Sequence, residues 1–339
     1  MSKSVFALCD WENRFVNNFM EYFVAKALDS FDIRVFTDVE ALLSYYEDNH
    51  IDILLIANSF MSNEIEELDI NTLIILSEGD ILKKYASLPI IYKYQSSEKI
   101  ISEILSFYAD TVKEADNYYY NHGIRIIGVY SPVRRSGKTS MALSLGQLLA
   151  RNKKVLYLNM EEFSGLQGVL DANYKGDLLD IIFYQRQKNG SLRYKLQGMT
   201  CRINDLDYIS PAFFSEELRN VKGAEWLEFI DMIDSQTDYE VLILDMGETV
   251  NGLINIMEKC SVIYMPKKND FFSQGKILQF EEYMKSISKE WLLDKITKVD
   301  IPEMMPVLDA RDYIQELYNG PFANDIRMIC MEEYGSSYA

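Results

Sequence analysis

Five consecutive residues in the middle of the chain have the side chains that a phosphate-binding loop requires. They are Ser136-Gly137-Lys138-Thr139-Ser140, and they lie between an apolar stretch, Ile124 to Tyr130, and a helical pattern that begins at Thr139. In such a loop, backbone N–H groups converge on the anion, a lysine neutralises the terminal phosphates and a hydroxyl binds Mg²⁺. The sequence therefore predicts that Lys138 reaches the β and γ phosphates of a nucleotide and that Thr139 is a magnesium ligand.

The loop departs from the usual pattern at its first position. The pattern G-x-x-x-x-G-K-T begins with glycine, whereas this chain has Pro132. An ordinary helix cap is therefore an alternative, because serine and threonine are also common at helix N-termini. The residues expected to contact the nucleotide in this segment are Arg134, Arg135, Ser136, Gly137, Lys138, Thr139 and Ser140.

A carboxylate follows a second apolar strand further along the chain. Asp245 ends the stretch that begins at Tyr239, and four aliphatic residues precede it directly. An aspartate at the carboxyl end of a buried strand can hold a metal ion through water. The sequence predicts that Asp245 binds Mg²⁺ in this way together with Thr139. The alternative is that Asp245 only caps the following loop.

The order of strand-like and helix-like stretches predicts an α/β protein with two domains. From Val5 to Tyr108, short apolar strands alternate with helical patterns, which is typical of a doubly wound parallel sheet. A polar, tyrosine-rich stretch follows, and the alternation starts again at Ile124. We expect two doubly wound parallel-sheet domains, at residues 1–110 and 124–339, joined by a linker at 111–123.

Charge and composition exclude several classes of function. The net charge is −18, and residues 1–123 hold 9 basic and 21 acidic residues. This balance argues against binding to DNA or to an anionic membrane, because both depend on Lys and Arg. The apolar stretches are too short for insertion into a bilayer, and the four cysteines lack the spacing of a zinc site. We expect a cytoplasmic protein.

The loop and two later segments resemble the MinD/ParA group of P-loop ATPases. Residues 133–140 correspond to that group's K-G-G-x-G-K-T-[ST], residues 155–161 to V-x-x-x-D-x-D, and residues 301–308 to I-P-E-x-x-x-V-L. The resemblance implies that ATP or ADP binds with Mg²⁺, that the chain forms a homodimer with nucleotide at the interface, and that Pro302 and Glu303 lie against the adenine.

The departures from this family concern hydrolysis. The family's signature lysine, which reaches the partner's nucleotide, falls on Val133, and the nearest cation is Arg134. The two carboxylates of the second-strand motif fall on Asn159 and Glu161. An amide cannot act as a base, and Glu161 is one methylene longer than the aspartate that positions water in relatives. The resemblance therefore places Lys138, Glu161 and, more weakly, Asn159 at the catalytic positions.

The N-terminal domain resembles a degenerate response-regulator receiver, which implies the flavodoxin-type strand order. Asp10 and Glu12 follow the first strand, Ser77 the fourth and Lys93 the fifth. The phosphoacceptor aspartate is replaced by Ala57, and an alanine cannot form an acyl phosphate.

A degenerate receiver followed by a MinD/ParA-type ATPase resembles the TadZ/CpaE proteins of Tad pilus assembly. The resemblance implies an ATP-binding localisation factor with slow or vestigial hydrolysis. It also implies protein partners from a pilus or secretion assembly, bound through the receiver-like domain and able to recruit the protein to a cell pole or the inner membrane face. The alternative is an active ParA/MinD-like ATPase switch that positions a cellular cargo.

Overall fold

A computed structural model describes residues 3–25, 30–79, 83–112, 123–170, 176–187, 190–302 and 309–334. The chain divides into two compact units, each built around one β-sheet. The first unit comprises residues 1–117 and 187–198, and the second comprises residues 118–186 and 199–339. None of the described helices is long and apolar enough to cross a membrane.

The first unit contains a five-stranded parallel sheet with the strand order β2-β1-β3-β4-β5. Its central strand, β3, is buried at all five positions, as expected for a parallel strand that helices cover on both faces. The elements of this unit in the N-terminal part of the chain are β1 (Ser4–Cys9), α1 (Asn13–Ala25), β2 (Phe31–Phe36), α2 (Val39–Asp48), β3 (Ile53–Ala57), α3 (Asn63–Glu66), β4 (Thr72–Ser77), β5 (Ile90–Tyr92) and α4 (Ser97–Thr111).

The second unit contains a seven-stranded sheet, parallel except for one strand at its edge. The strand order is β12-β11-β6-β10-β7-β9-β8, and only β8 runs antiparallel to its neighbour. Its elements are β6 (Arg125–Val129), α5 (Lys138–Ala150), β7 (Val155–Asn159), α6 (Leu178–Gln187), β8 (Thr200–Ile203), β9 (Leu206–Ile209), α8 (Ser215–Asn220), α9 (Gly223–Gln236), β10 (Val241–Asp245), α10 (Leu253–Lys259), β11 (Val262–Lys267), α11 (Phe271–Ser286), β12 (Ile296–Asp300), α12 (Ala310–Asn319) and α13 (Pro321–Tyr334).

One short helix from the later part of the chain packs in the first unit. This helix, α7 (Leu192–Met199), carries Tyr194, whose ring centroid lies 4.9 Å from that of Tyr108 and 5.5 Å from that of Phe31. The Ser102 hydroxyl of α4 donates a hydrogen bond to the Gly198 carbonyl at 2.5 Å. Residues 187–198 therefore complete the core of the first unit, whereas the expected domain boundaries assign them to the second.

Burial explains why α5 lies at the centre of the second unit. Ten of its residues are buried, from Lys138 to Ala150, because the helix packs between the sheet and the C-terminal helices α12 and α13. Gly146 permits this packing, since a Cβ there would lie 2.8 Å from the Leu206 side chain. The helix is buried on nearly all sides, so its N-terminus at the phosphate loop is anchored in the core of the second unit.

The predicted fold class is confirmed. Both sheets are dominated by parallel strands, and the first has the flavodoxin-type order expected from its resemblance to a receiver. In the second unit, β6, α5 and β7 form the predicted βαβ unit around the phosphate loop.

Candidate functional site

The predicted phosphate loop joins β6 to α5 and has an unusual backbone. Gly137 has φ of +88° and is the N-cap of α5, and no side chain caps the helix there. Arg135 has φ of +55°, which is uncommon for a residue other than glycine. The first N–H groups of α5 therefore have no side-chain acceptor at the N-cap, and the helix dipole favours an anion at this position.

Lys138 lies inside the site with its ammonium group near two acceptors. The side chain is 9% exposed, and its Nζ lies 2.6 Å from Oε1 of Glu161 and 3.1 Å from the carbonyl oxygen of Met246. The ion pair thus joins two of the residues expected to be catalytic. Lys138 offers a positive charge at low exposure, where charge interactions are stronger than at the surface.

Asp245 is fully buried at the end of β10 and accepts several hydrogen bonds on one oxygen. Its Oδ2 accepts from the Thr139 hydroxyl at 2.7 Å, from the Tyr157 hydroxyl at 2.9 Å and from Nδ2 of Asn159 at 2.9 Å. Its Oδ1 is buried and has no hydrogen-bond partner among the described residues. Thr139 and Asp245, the two residues expected at the metal, are therefore adjacent.

The surroundings of Asp245 change its acidity. Burial raises the pKa of Asp245 to about 6, although the hydrogen bond from Thr139 and the charge of Lys138 act in the opposite direction. Burial, together with the charge of Asp245, also raises the pKa of Tyr157 well above its usual value. The tyrosine hydroxyl is therefore a hydrogen-bond donor to the carboxylate over the physiological pH range.

Asn159 and Glu161 have different surroundings. Asn159 is buried, and its Oδ1 accepts a hydrogen bond from the Glu161 N–H at 3.1 Å. Because an N–H group needs an oxygen acceptor, this bond places Nδ2 towards Asp245, so Asn159 donates to the carboxylate. The Glu161 side chain is 26% exposed and pairs with Lys138. Of the two positions, only Glu161 supplies a carboxylate to the site.

Val133, which the sequence resemblance aligned with a signature lysine, and the neighbouring Arg134 differ in exposure. Val133 is buried, and its N–H donates to the Ser131 hydroxyl at 3.1 Å. The Arg134 side chain is 79% exposed and lies 3.3 Å from Glu248. Since an exposed ion pair contributes only about 0–1 kcal/mol, Arg134 is free to contact another anion at small cost.

Of the remaining loop residues, Arg135 is exposed, Ser140 is half-buried and Ser136 is buried. Ser136 is 4% exposed, and its hydroxyl has no hydrogen-bond partner among the described residues. The Ser140 hydroxyl lies 2.8 Å from that of Tyr313 on α12, a residue that the sequence patterns did not single out. Ser140 is therefore tied to the C-terminal helices rather than oriented by the loop itself.

The segment expected near the adenine is described only at its start. Pro302 is half-buried, and Glu303 lies outside the described residues. The preceding residue, Ile301, packs beside the loop, because a Cβ on Gly137 would lie 3.0 Å from its Cγ2. This contact brings the start of the segment next to the phosphate loop.

These residues fit a magnesium nucleotide. Lys138 provides the cation and Thr139 the hydroxyl, while the unpartnered Ser136 hydroxyl and Asp245 Oδ1 are buried polar atoms of the kind that acquire a partner. No group of three or more His, Cys, Asp or Glu residues in the described part of the chain is placed to hold a metal ion. Mg²⁺ is usually bound by one or two protein groups together with water and substrate phosphates, and Thr139 and Asp245 can provide such groups.

Exposed phenylalanines follow several strands at the same edge of the second sheet. They come after β7, β9 and β11, which run parallel to β6 and β10, so they share the edge that carries the phosphate loop and Asp245. We call them the aromatic rim: Phe163, Phe213, Phe214, Phe271 and Phe272. Their exposure ranges from 60% to 85%. Apolar side chains that form a contiguous patch on a surface mark interaction sites.

The first unit carries an ion cluster formed by residues that follow β1, β4 and β5. The Lys93 side chain is fully buried, and its Nζ lies 2.9 Å from Asp10, 3.0 Å from Glu12 and 3.0 Å from Glu78. Burial lowers the pKa of Lys93, but hydrogen bonds to these carboxylates outweigh it, so the pKa lies above its ordinary value. Ala57 is buried at the end of β3. The sequence analysis named Asp10, Glu12, Lys93 and Ala57, but it did not name Glu78 as a partner of Lys93.

No family model and no curated protein matches the chain. Solved structures match at low identity. A plasmid partition protein from Borrelia burgdorferi, bound to AMPPNP, is 15% identical, with 62% of this chain and 99% of that chain covered and a TM-score of 0.43. A ParA family ATPase from Chlorobium tepidum is 16% identical, with 58% and 81% covered and a TM-score of 0.45. McdA from Cyanothece, in an ATP complex, is 13% identical, with 63% and 91% covered and a TM-score of 0.41.

Proposed function

We propose that this chain is a nucleotide-binding protein of the ParA/MinD type, which binds ATP, or ADP, with Mg²⁺ at the loop between β6 and α5. The observation that carries the proposal is the convergence of Lys138 and Thr139, at the start of α5, with Asp245, which lies 106 positions after Thr139. Thr139 and Asp245 share a 2.7 Å hydrogen bond, and Lys138 is next to Thr139 at the start of α5.

Each residue of the site has a separate role in this proposal. The Lys138 ammonium and the first N–H groups of α5 bind the phosphates, with Arg134 and Arg135 at the exposed side of the loop. Thr139 and Asp245 hold Mg²⁺, Asp245 through water. When bound, the metal ion neutralises charge on the phosphate oxygens. Pro302 and Glu303 are proposed to lie against the adenine.

Calorimetric titration with Mg²⁺ and a non-hydrolysable ATP analogue tests the site. We expect Lys138→Ala to weaken binding at least about 100-fold, because it removes charged hydrogen bonds of about 1.5–3 kcal/mol each. The matched control is Lys259→Ala, which removes a lysine of the same unit that pairs with Asp231 at the surface. Equal affinity of Lys138→Ala and the control would show that the nucleotide does not bind here.

We further propose that the chain forms a homodimer through the edge that carries the site. The aromatic rim supports this, because it exposes five phenylalanines beside the nucleotide-binding loop. A second copy that covers this edge would bury them, and aromatic residues are typical anchors of protein interfaces. Nucleotide binding and self-association would then be linked, because the nucleotide and the second copy occupy the same edge of the sheet.

Slow hydrolysis follows from the catalytic positions. Val133 is uncharged and buried, so it cannot supply a positive charge to a partner's nucleotide. A well-placed cation of this kind increases the hydrolysis rate by about 10³ to 10⁵. Asn159 is committed to hydrogen bonds with Asp245 and Glu161. We therefore infer an ATP-binding localisation factor of the TadZ/CpaE kind, whose receiver-like unit binds components of a pilus or secretion assembly.

The second candidate is an active ATPase switch that positions a cargo. The contact between Glu161 and Lys138 favours it, because it keeps one carboxylate within the site. Phosphate release at saturating Mg–ATP separates the two functions. The localisation factor predicts turnover far below that of an active ATPase, whereas the switch predicts turnover that Glu161→Gln reduces at least about 100-fold. In both cases Glu161→Gln should bind nucleotide at least as well, because it frees the Lys138 ammonium from a competing anion.

A further inference from the structure

Tyr157 lies where it can control the orientation of Asp245. Both residues are fully buried, on the neighbouring strands β7 and β10. The Tyr157 hydroxyl donates to Asp245 Oδ2 at 2.9 Å and accepts from Asn159 Nδ2 at 2.9 Å. Tyr157 and Asn159 are two residues apart on one strand, so their side chains share a face. The three side chains form a closed hydrogen-bonded triangle.

The hydrogen bonds to Asp245 are distributed very unevenly. Thr139, Tyr157 and Asn159 all donate to Oδ2, whereas Oδ1 has no partner among the described residues. A carboxylate held in this way cannot rotate without losing bonds to all its donors. If the Thr139 hydroxyl turns to another partner, Tyr157 and Asn159 still hold Oδ2 in place.

Resting on the proposed function, we infer that Tyr157 is a positioning residue that fixes the orientation of Asp245, the carboxylate that would hold Mg²⁺ through water. Asn159, which donates to the same Oδ2, has the same role. An aspartate at position 159 would place a second negative charge about 3 Å from Asp245, where like charges oppose each other strongly. The asparagine replaces this repulsion with a hydrogen bond, which is a physical reason for having an amide rather than a carboxylate at position 159.

The test is the Mg²⁺ dependence of nucleotide binding in Tyr157→Phe, which keeps the ring and deletes the hydroxyl. Nucleotide affinity is measured with Mg²⁺ titrated in, and again in EDTA. We expect the Mg²⁺ affinity to fall about 10- to 100-fold, the usual cost of losing a group that orients a metal ligand. Binding in EDTA should change less than 3-fold, because the phosphates contact Lys138 and the loop.

The matched control is Tyr239→Phe, which deletes the hydroxyl of a half-buried tyrosine that is also bonded to a carboxylate. Tyr239 donates to Asp207 Oδ2 at 3.1 Å, on the side of the sheet where β10 begins. We expect its Mg²⁺ affinity to equal that of the wild type. A merely structural role for Tyr157 would lower the unfolding temperature of both variants without separating their Mg²⁺ affinities.

A second variant, Asn159→Ala, makes the result independent of the folding of one mutant. It should weaken Mg²⁺ binding in the same direction, and the double variant should lose less than the sum of the two, because both donors act on the same oxygen. If wild type binds and Tyr157→Phe matches it in Mg²⁺ affinity, the positioning role is wrong and the proposed function stands. If wild type shows no Mg²⁺-dependent nucleotide binding, both are wrong.

Discussion

The ionisation of the Asp245 carboxylate depends on the residues around it. It is buried at the end of β10, where desolvation disfavours the charge that a metal site needs. The hydroxyls of Thr139 and Tyr157 and the charge of Lys138 partly restore the ionised form. The balance leaves the pKa at about 6, so the carboxylate is ionised at neutral pH and becomes protonated in mild acid.

This balance predicts a pH dependence of stability. The pKa of Asp245 is raised from 3.8 to about 6 in the folded protein, so its contribution to stability is fully present below pH 3.8 and is lost as the pH rises through about 6. The loss is about 3 kcal/mol, because each factor of ten in the protonation equilibrium corresponds to about 1.4 kcal/mol. We expect Asp245→Asn to remove this part of the pH dependence in denaturant unfolding without metal or nucleotide.

The exposed Asp294 supplies the control for that measurement. Asp294→Asn removes a carboxylate from the same unit at a position open to solvent. We expect its unfolding free energy to follow the wild type between pH 4 and pH 7. An Asp245→Asn variant that kept the wild-type profile would mean that Asp245 is less buried, or better compensated, than its contacts indicate.

At the residue scale, site residues that belong to a sequence motif can be predicted from the sequence. Residues whose proposed role depends on tertiary contacts cannot. Lys138, Thr139 and Asp245 were predicted because each follows a strand in a pattern with a known chemical reason. Tyr157 was missed, because a tyrosine inside an apolar strand has the same pattern as a core residue. The available signal was its spacing of two from Asn159, which puts both side chains on one face.

At the scale of single elements, α7 is the helix whose place in the fold is hardest to predict from the sequence. The chain leaves the second unit after residue 186, contributes α7 to the first unit and returns at residue 199. Sequence patterns predict elements from local periodicity, and this helix has a clear apolar face. Which sheet that face covers depends on contacts between residues about 90 to 160 positions apart, such as those of Tyr194 with Tyr108 and Phe31. Local patterns do not record such contacts.

The contacts of Tyr194 predict which unit depends on α7. We expect Tyr194→Ala to lower the unfolding free energy of the first unit by about 3 kcal/mol, the usual cost of deleting a buried aromatic ring. Tyr194→Phe keeps the ring and should retain most of that stability. Chemical denaturation, followed by hydrogen exchange of each unit, measures the effect. If the exchange rates rise only in β6 to β12, α7 stabilises the second unit instead.

At the scale of the whole molecule, the parallel direction of the strands determines which residues lie together at one edge of a sheet. Parallel strands bring their carboxyl ends to one edge, so the phosphate loop, Asp245 and the aromatic rim of the second unit all lie there. The sequence predicted the first two from motifs. The rim was not predicted, because phenylalanines such as Phe271 and Phe272 precede a helical pattern and resemble core residues until their exposure is known.

The exposure of the rim predicts its role in self-association. Phe271 and Phe272 are 85% and 81% exposed at the start of α11, directly after β11. Buried aromatic anchors contribute 2 kcal/mol or more to an interface, so we expect the double variant Phe271→Ser, Phe272→Ser to weaken Mg–ATP-dependent dimerisation at least about 30-fold. Sedimentation at several protein concentrations, with a non-hydrolysable analogue, measures the dimer constant.

Met328 provides the comparison that makes this result specific to the rim. Its side chain is 61% exposed on α13, in the same unit, so Met328→Ser removes exposed apolar surface without touching the rim. Self-association driven by general surface hydrophobicity would fall in both proteins, whereas a dimer through the site edge would fall only in the phenylalanine variant. Nucleotide affinity is measured at concentrations where the chain is monomeric, and it should stay within 3-fold of wild type because Lys138 and the loop are intact. A phenylalanine variant that dimerises as tightly as wild type would place the dimer interface on another surface.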